Sequence, residues 1–304
     1  MTDTPLPPQK NEDSLRGFAF ALVAYLLWGF LPLYMKAMAH IPTLEVLVHR
    51  VIWSVPVAIA ILWGLGRTAD LKAALKSPQM LMMAAATAAL ISVNWGIYVW
   101  SIQRGHALDA ALGYYINPLF SVFLGAALLG ERLSIAQKCA IGLACLAVAI
   151  LTWEAGRLPV VALSLTLTWG IYAYLKKSLP IGPNQGFTLE VLLLLPFALG
   201  YALWLQVQGT STLTGGTALD TLLLMGCGLV TAVPLMIYAN GAKLLKLSTI
   251  GIMQYIAPTM IFLTAVFLFG EPFGRAQMIA FPLIWLALIV YTTSLIRQAR
   301  AAGR

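Results

Sequence analysis

His49 and Arg50 stand side by side within TLEVLVHRVIWSVPVAIAILWG, a run that is otherwise almost wholly apolar. A charged side chain inside a membrane helix costs about 3 kcal/mol on insertion scales, so it normally faces a partner or a watery cavity. Arginine presents a planar fork that matches a carboxylate, and histidine has a reference pKa near neutrality that suits proton relay or sensing. The pair therefore reads as an anion-binding corner, with Arg50 on a substrate carboxylate and His49 able to exchange a proton. A plainer reading competes. Both residues lie within one or two turns of the helix end, where Arg50 can snorkel to the interface and Glu45 can face His49 at i,i+4.

Polar and aromatic residues form a second constellation. Asn94, Tyr98 and Ser101 repeat at i,i+4,i+7, and Tyr114, Asn117 and Ser121 at i,i+3,i+7, so each trio makes one helical stripe. Amides and hydroxyls are costly against lipid and should face protein or a wet cavity. Tyr238, Asn240, Gln254 and Tyr255 supply similar groups later in the chain, and Trp28, Trp53 and Trp169 add aromatic surface. Together they could line a chamber for a small amphipathic solute. Interhelical hydrogen bonding with aromatic packing is the alternative role for the same residues.

These residues sit within an internal duplication. LGYYINPLFSVFLGAALLGERLSIAQ at 112–137 recurs as IMQYIAPTMIFLTAVFLFGEPFGRAQ at 252–277, without gaps, 140 positions later. Tyr115, Ile116, Pro118, Leu128, Gly130, Glu131, Ala136 and Gln137 have identical partners, and Val93, Ile97 and Tyr98 map onto Val233, Ile237 and Tyr238. Trp28-Gly29 is echoed by Trp169-Gly170, and TLEV at 43–46 by TLEV at 188–191, at slightly different offsets. The paired prolines Pro118 and Pro258 fall well inside helices, where the missing N–H encourages a kink, and could act as gating joints. Glu131 and Glu271 are expected to cap or pair near the starts of the helices that follow them.

The elements that carry all this are membrane helices. The chain is 60% apolar and 10% charged, with mean hydropathy +0.85, too little polar side chain to cover a water-soluble globule. Crossing a hydrocarbon layer of ~30 Å takes about 20 apolar residues as helix. Ten such stretches are present, near 17–36, 44–66, 79–102, 107–129, 134–153, 158–175, 187–207, 219–242, 248–269 and 275–296. The expected fold is all-α and integral to the membrane: ten transmembrane helices as two inverted five-helix repeats. Five is odd, so the second copy enters the bilayer the other way up. The expected parts are a disordered cytoplasmic tail at 1–16, a first repeat at 17–153, a second at 158–296 and a cytoplasmic tail at 297–304.

Charge sets the orientation. With the N-terminus inside, fourteen Lys and Arg fall on the cytoplasmic side and four (Lys36, Arg104, Arg157 and Arg275) outside, which places both termini in the cytoplasm. This distribution also accounts for the net charge of +8 without a nucleic-acid partner. The first apolar run is too long for a signal-peptide core and is read as a spanning helix.

Catalytic centres are not evident. The sequence has no H-E-x-x-H, G-x-S-x-G or G-x-x-x-x-G-K-[ST], its three histidines are scattered, and Cys139, Cys145 and Cys227 all fall within spans as small apolar side chains. Neither a metal nor a cofactor is expected, and ATP-driven transport would need another subunit. A membrane-embedded enzyme and a non-transporting scaffold remain the rival classes to a carrier.

YLLWGFLPLYMKAM at 25–38, VLVHRVIWS at 46–54, NWGIYVWSI at 94–102, ALGYYINP at 111–118, TLEVLLLLP at 188–196 and QYIAPTMIFLTAVFLFGE at 254–271 resemble the drug/metabolite transporter superfamily, its EamA-like members and, within them, the RarD branch. The resemblance covers almost the whole chain. It implies a ten-helix fold of inverted repeats in a bacterial inner membrane, with export of amino acids, related metabolites or amphipathic drugs. The branch carries a historical association with chloramphenicol sensitivity or resistance. The expected partners are a small-molecule solute and the lipid bilayer, with a single chain as the working unit.

Overall fold

The computed structural model describes residues 14–129, 133–178, 180–242, 244–245 and 247–302. Among them there is helix and turn and no strand, as a chain lying in hydrocarbon requires, because a helix satisfies its own backbone. The helices are α1 (Leu15–Ala37), α2 (Thr43–Gly64), α3 (Thr68–Ala74), α4 (Pro78–Gln103), α5 (Ala107–Leu129), α6 (Ile135–Ala155) and α7 (Val160–Ser178). They continue as α8 (Pro183–Val207), α9 (Thr212–Gly215), α10 (Ala218–Ala242), α11 (Leu247–Met253), α12 (Ile256–Leu263) and α13 (Arg275–Ala302). Eight of the described helices are long and apolar enough to cross a membrane, and the apolar runs in α7 and from α12 onward are shorter.

Local chemistry sets several boundaries. Ser134 and Gln137 form a reciprocal capping box at the start of α6, and Gly156, at φ 63°, ends that helix in the left-handed conformation that glycine adopts without penalty. Pro78 opens α4 behind the Ser77 cap, where its missing N–H costs nothing. The short helices α3 and α9 occupy loops that the apolar pattern leaves blank.

The stretch at 248–269 is not the single helix expected. It divides at Gln254 and Tyr255 into α11 and α12, and a π turn at Thr264–Leu268 follows before Gly270. Pro258 has no N–H to offer the Gln254 carbonyl, so that backbone bond is missing at the break. Pro118, its repeat partner, lies inside an uninterrupted α5. The two segments touch: Thr259 donates to the Tyr255 carbonyl at 2.7 Å, so its hydroxyl is left to accept from Tyr115 at 2.8 Å.

Packing interleaves the first part of the chain with the second. α10 lies against α1 and α2, α7 against α4 and α5, α2 along α8, and α6 along α13. A methyl group at Gly228 of α10 would overlap the backbone carbonyl of Trp53 on α2, so this crossing needs a residue without a side chain. Two main apolar clusters fill the interior, one around Leu112, Tyr115 and Phe281 and one around Val51, Trp95 and Leu189.

Two carboxylates tie helix starts together at one end of this framework, where Gln103 also joins the end of α4 to the α1–α2 turn. Glu271 does not serve the helix that follows it. Its two oxygens accept from Ala107 and Leu108 N–H at 2.8 and 2.9 Å, capping α5 instead. Glu131 lies outside the described residues. Glu45, fully buried, accepts from the N–H and hydroxyl of Thr212 at the start of α9, at 2.6 and 2.7 Å.

Candidate functional site

Arg50 lies in the interior of the bundle, with its side chain held by two neighbouring helices. Its residue is 3% exposed. The guanidinium carbon stands 4.8 Å from the ring centre of Trp95 on α4, and Nε donates to Thr231 Oγ1 on α10 at 3.1 Å. Cys227, Tyr98 and Tyr114 are in electrostatic reach. Nη1 is buried without a hydrogen-bond partner, and no described carboxylate forms an ion pair with Arg50. Snorkelling therefore does not describe this side chain, since its head is enclosed.

His49 is also buried, and its Nδ1 has no partner. The Glu45 carboxylate one turn away is in electrostatic reach of it while bonded to Thr212.

α4 and α5 turn their stripes toward α7. Asn94 donates to the Leu165 carbonyl at 3.2 Å and to Thr168 Oγ1 at 2.9 Å, while its Oδ1 has no partner. The Tyr98 hydroxyl is buried and unpartnered as well. Ring contacts then run from Tyr98 to Tyr114 at 5.8 Å, to Trp169 at 6.4 Å and to Tyr172 at 5.7 Å. Asn117 is buried with Oδ1 unpartnered. Ser101 and Ser121 donate to backbone carbonyls of their own helices, so they serve local structure.

The later residues form a separate aromatic group. Trp28 and Tyr238 are 5.4 Å apart by ring centres, and Tyr25 meets both at 5.6 Å. Gln254 and Tyr255 occupy the break between α11 and α12, and Pro258 lies just beyond it. Trp53 sits at the α2–α10 crossing with its indole N–H unpartnered. Thus Arg50, Asn94, Tyr98, Tyr114 and Trp169 converge in one cluster. Trp28 and Tyr238 make another with Tyr25, and Tyr255 packs against the apolar cluster that also holds Tyr98 and Tyr114.

Sequence reasoning missed three partners. Trp95 and Thr231 fix the Arg50 head, yet neither residue type announces such a contact, and Thr231 is far along the chain. Glu190 is the third. Placed near a helix end by sequence, it is 1% exposed, accepts from Lys176 Nζ at 2.6 Å and from the Tyr172 hydroxyl at 3.2 Å. A buried TLEV glutamate occurs in both parts of the chain, and that recurrence was the available signal. No group of three or more His, Cys, Asp or Glu among the described residues could hold a metal ion.

Buried donors and acceptors left free around a fixed cation suit recognition of a small polar group at the end of an apolar body. Comparison with known proteins agrees with a transport setting. Residues 15–153 match the EamA-like transporter family. An uncharacterized transporter of Vibrio cholerae is 40% identical over 97% of each chain. The protein RarD of Escherichia coli is 36% identical over 96% of this chain and 99% of its own, and the chloramphenicol-sensitive protein RarD of Pseudomonas aeruginosa 30% identical over 95% and 97%. A crystal structure with 19% identity superposes at a TM-score of 0.61, covering 92% of this chain and 98% of its own, a likeness of fold alone. Relatives matched along nearly their whole length leave one conclusion: this multi-pass membrane protein belongs to the RarD branch of the EamA-like transporters, within the drug/metabolite transporter superfamily.

Proposed function

We propose that the protein is a secondary carrier, working as an exporter, that moves small amphipathic solutes such as amino acids, related metabolites or drugs across the bacterial inner membrane by alternating access. The observation that carries this reading is Arg50: a buried cation between α2, α4 and α10 whose Nη1 lacks a partner. Arg50 holds a substrate carboxylate, with Asn94, Tyr98 and Asn117 offering hydrogen bonds and Trp28, Trp53, Tyr114, Trp169, Tyr238 and Tyr255 aromatic surface. His49 and Gln254 complete the set. The halves, 17–153 and 158–296, form ten spans related by inversion and rock about this site, with both termini cytoplasmic. The 140-residue repeat supports that arrangement, as does the way α1 lies on α10 while its counterpart α7 lies on α4. Pro118 and Pro258 act as the joints, and the opened backbone beside Pro258 supports the second of them.

A counterflow screen of amino acids, aromatic acids and chloramphenicol in proteoliposomes tests the reading. Cysteines at Tyr98, Asn117, Tyr238 and Gln254 should react with a small water-soluble reagent and be protected by a transported solute. Inert cysteines together with no counterflow of any solute would point to an enzyme or a scaffold.

A further inference from the structure

The charge of Arg50 is permanent, because a guanidinium does not lose its proton inside a protein. It is also uncancelled among the described residues. The other acids are committed: Glu45 to Thr212, Glu190 to Lys176, Glu271 to the first amides of α5, Asp220 to His40, and Asp70 and Asp109 to Gln185 and His106. Glu154 is exposed in the last turn of α6. The nearby groups, Cys227, Tyr98 and Tyr114, are thiol and phenols, uncharged at neutral pH by their reference values.

The cation cannot swing away to find relief. Trp95 covers one face of the guanidinium and Thr231 holds its Nε edge, so the demand for an anion is fixed in place. An isolated buried charge is strongly unfavourable, and a charge paired with an opposite one far less so. The empty site therefore opposes every step in which the protein closes over it and excludes water, whereas a bound carboxylate removes that opposition. The loaded carrier crosses readily and the empty carrier returns slowly.

We infer that the protein is an anion exchanger: Arg50 makes a bound monoanion a condition for reorientation in both directions, so one carboxylate-bearing solute leaves for each that enters. This rests on the carrier reading above and specifies how that carrier is driven. Exchange of one monoanion for another moves no net charge, so membrane potential supplies no driving force, and because each crossing carries a cation paired with its anion the exchange is insensitive to it. No proton needs to be coupled, and the gradient of the counter-anion supplies the work.

The test uses the purified full-length chain in liposomes, with potassium and valinomycin clamping the potential. The probe is labelled N-acetyl-L-phenylalanine, a monoanion, and its neutral counterpart is N-acetyl-L-phenylalaninamide. Uptake of the acid into a lumen holding the unlabelled acid should exceed uptake into a lumen holding only impermeant gluconate by about tenfold, the ratio expected if the empty return is slowed by one unit of 1.4 kcal/mol. Clamping the potential at different values should not alter the exchange. In Arg50→Gln, checked for monodispersity, trans-stimulation should vanish while the neutral amide crosses without need of a counter-anion. Equal uptake into both lumens overturns exchange and leaves the carrier standing. Absence of acid flux in both lumens, with no anion-dependent rise in the melting temperature of the wild type over Arg50→Gln, overturns the exchange and the carboxylate site together.

Discussion

Replacing Arg50 by alanine removes one hydrogen bond, to Thr231, and one ring contact, to Trp95. No described carboxylate is stranded by the change. Losing that charge-assisted bond is offset by lifting the desolvation cost of an unpaired buried cation, so the expected net change in stability is within about 1 kcal/mol, and not the loss of about 3–5 kcal/mol that follows from breaking a buried ion pair. Scanning fluorimetry in detergent measures it, and a loss near the larger figure would reveal a hidden counter-ion. Arg50→Lys should keep the charge and part of the transport, since an ammonium lacks the planar fork. Glu45→Ala should be more damaging to the fold than Arg50→Ala, because it leaves the Thr212 N–H and hydroxyl without their acceptor, at about 1–3 kcal/mol. The residue types at this site were legible in sequence, since His49, Arg50, Asn94 and Tyr98 interrupt apolar runs. Their partners were not: Trp95 and Thr231 meet Arg50 only through tertiary packing.

Among the elements, the helix limits follow closely from apolar run length, as with α5, which occupies 107–129 as expected. The departure is at 248–269. Proline marks both Pro118 and Pro258, and only the second accompanies an opened backbone, so proline alone does not specify the break. Pro258→Ala should restore a continuous helix and slow reorientation by about tenfold if the break is a joint, which stopped-flow efflux can read. Unaltered turnover would make the break a static feature. The contact between Glu271 and the start of α5 was likewise hidden from sequence, since it joins residues 163 and 164 positions apart. Glu271→Ala should lower stability by about 1 kcal/mol, as loss of a helix cap does, with Glu271→Gln intermediate. At the α2–α10 crossing, Gly228→Leu should cost at least 1–3 kcal/mol by overpacking, measured by the loss of monodisperse protein on heating.

At the scale of the whole molecule, the proposed orientation rests on charge asymmetry and the proposed pair of halves on the internal duplication. Single cysteines introduced at Gly105 and at Gln298 test the orientation in intact cells: an impermeant maleimide should label the first and not the second. Reversed labelling would invert the topology. The central claim, that a fixed buried cation between the halves selects the transported solute, is tested most directly by counterflow of a labelled amphipathic carboxylate in proteoliposomes containing wild type or Arg50→Ala. The account predicts flux well above protein-free liposomes for the wild type and flux at the protein-free level for a folded, monodisperse Arg50→Ala. Equal flux through both proteins would contradict it.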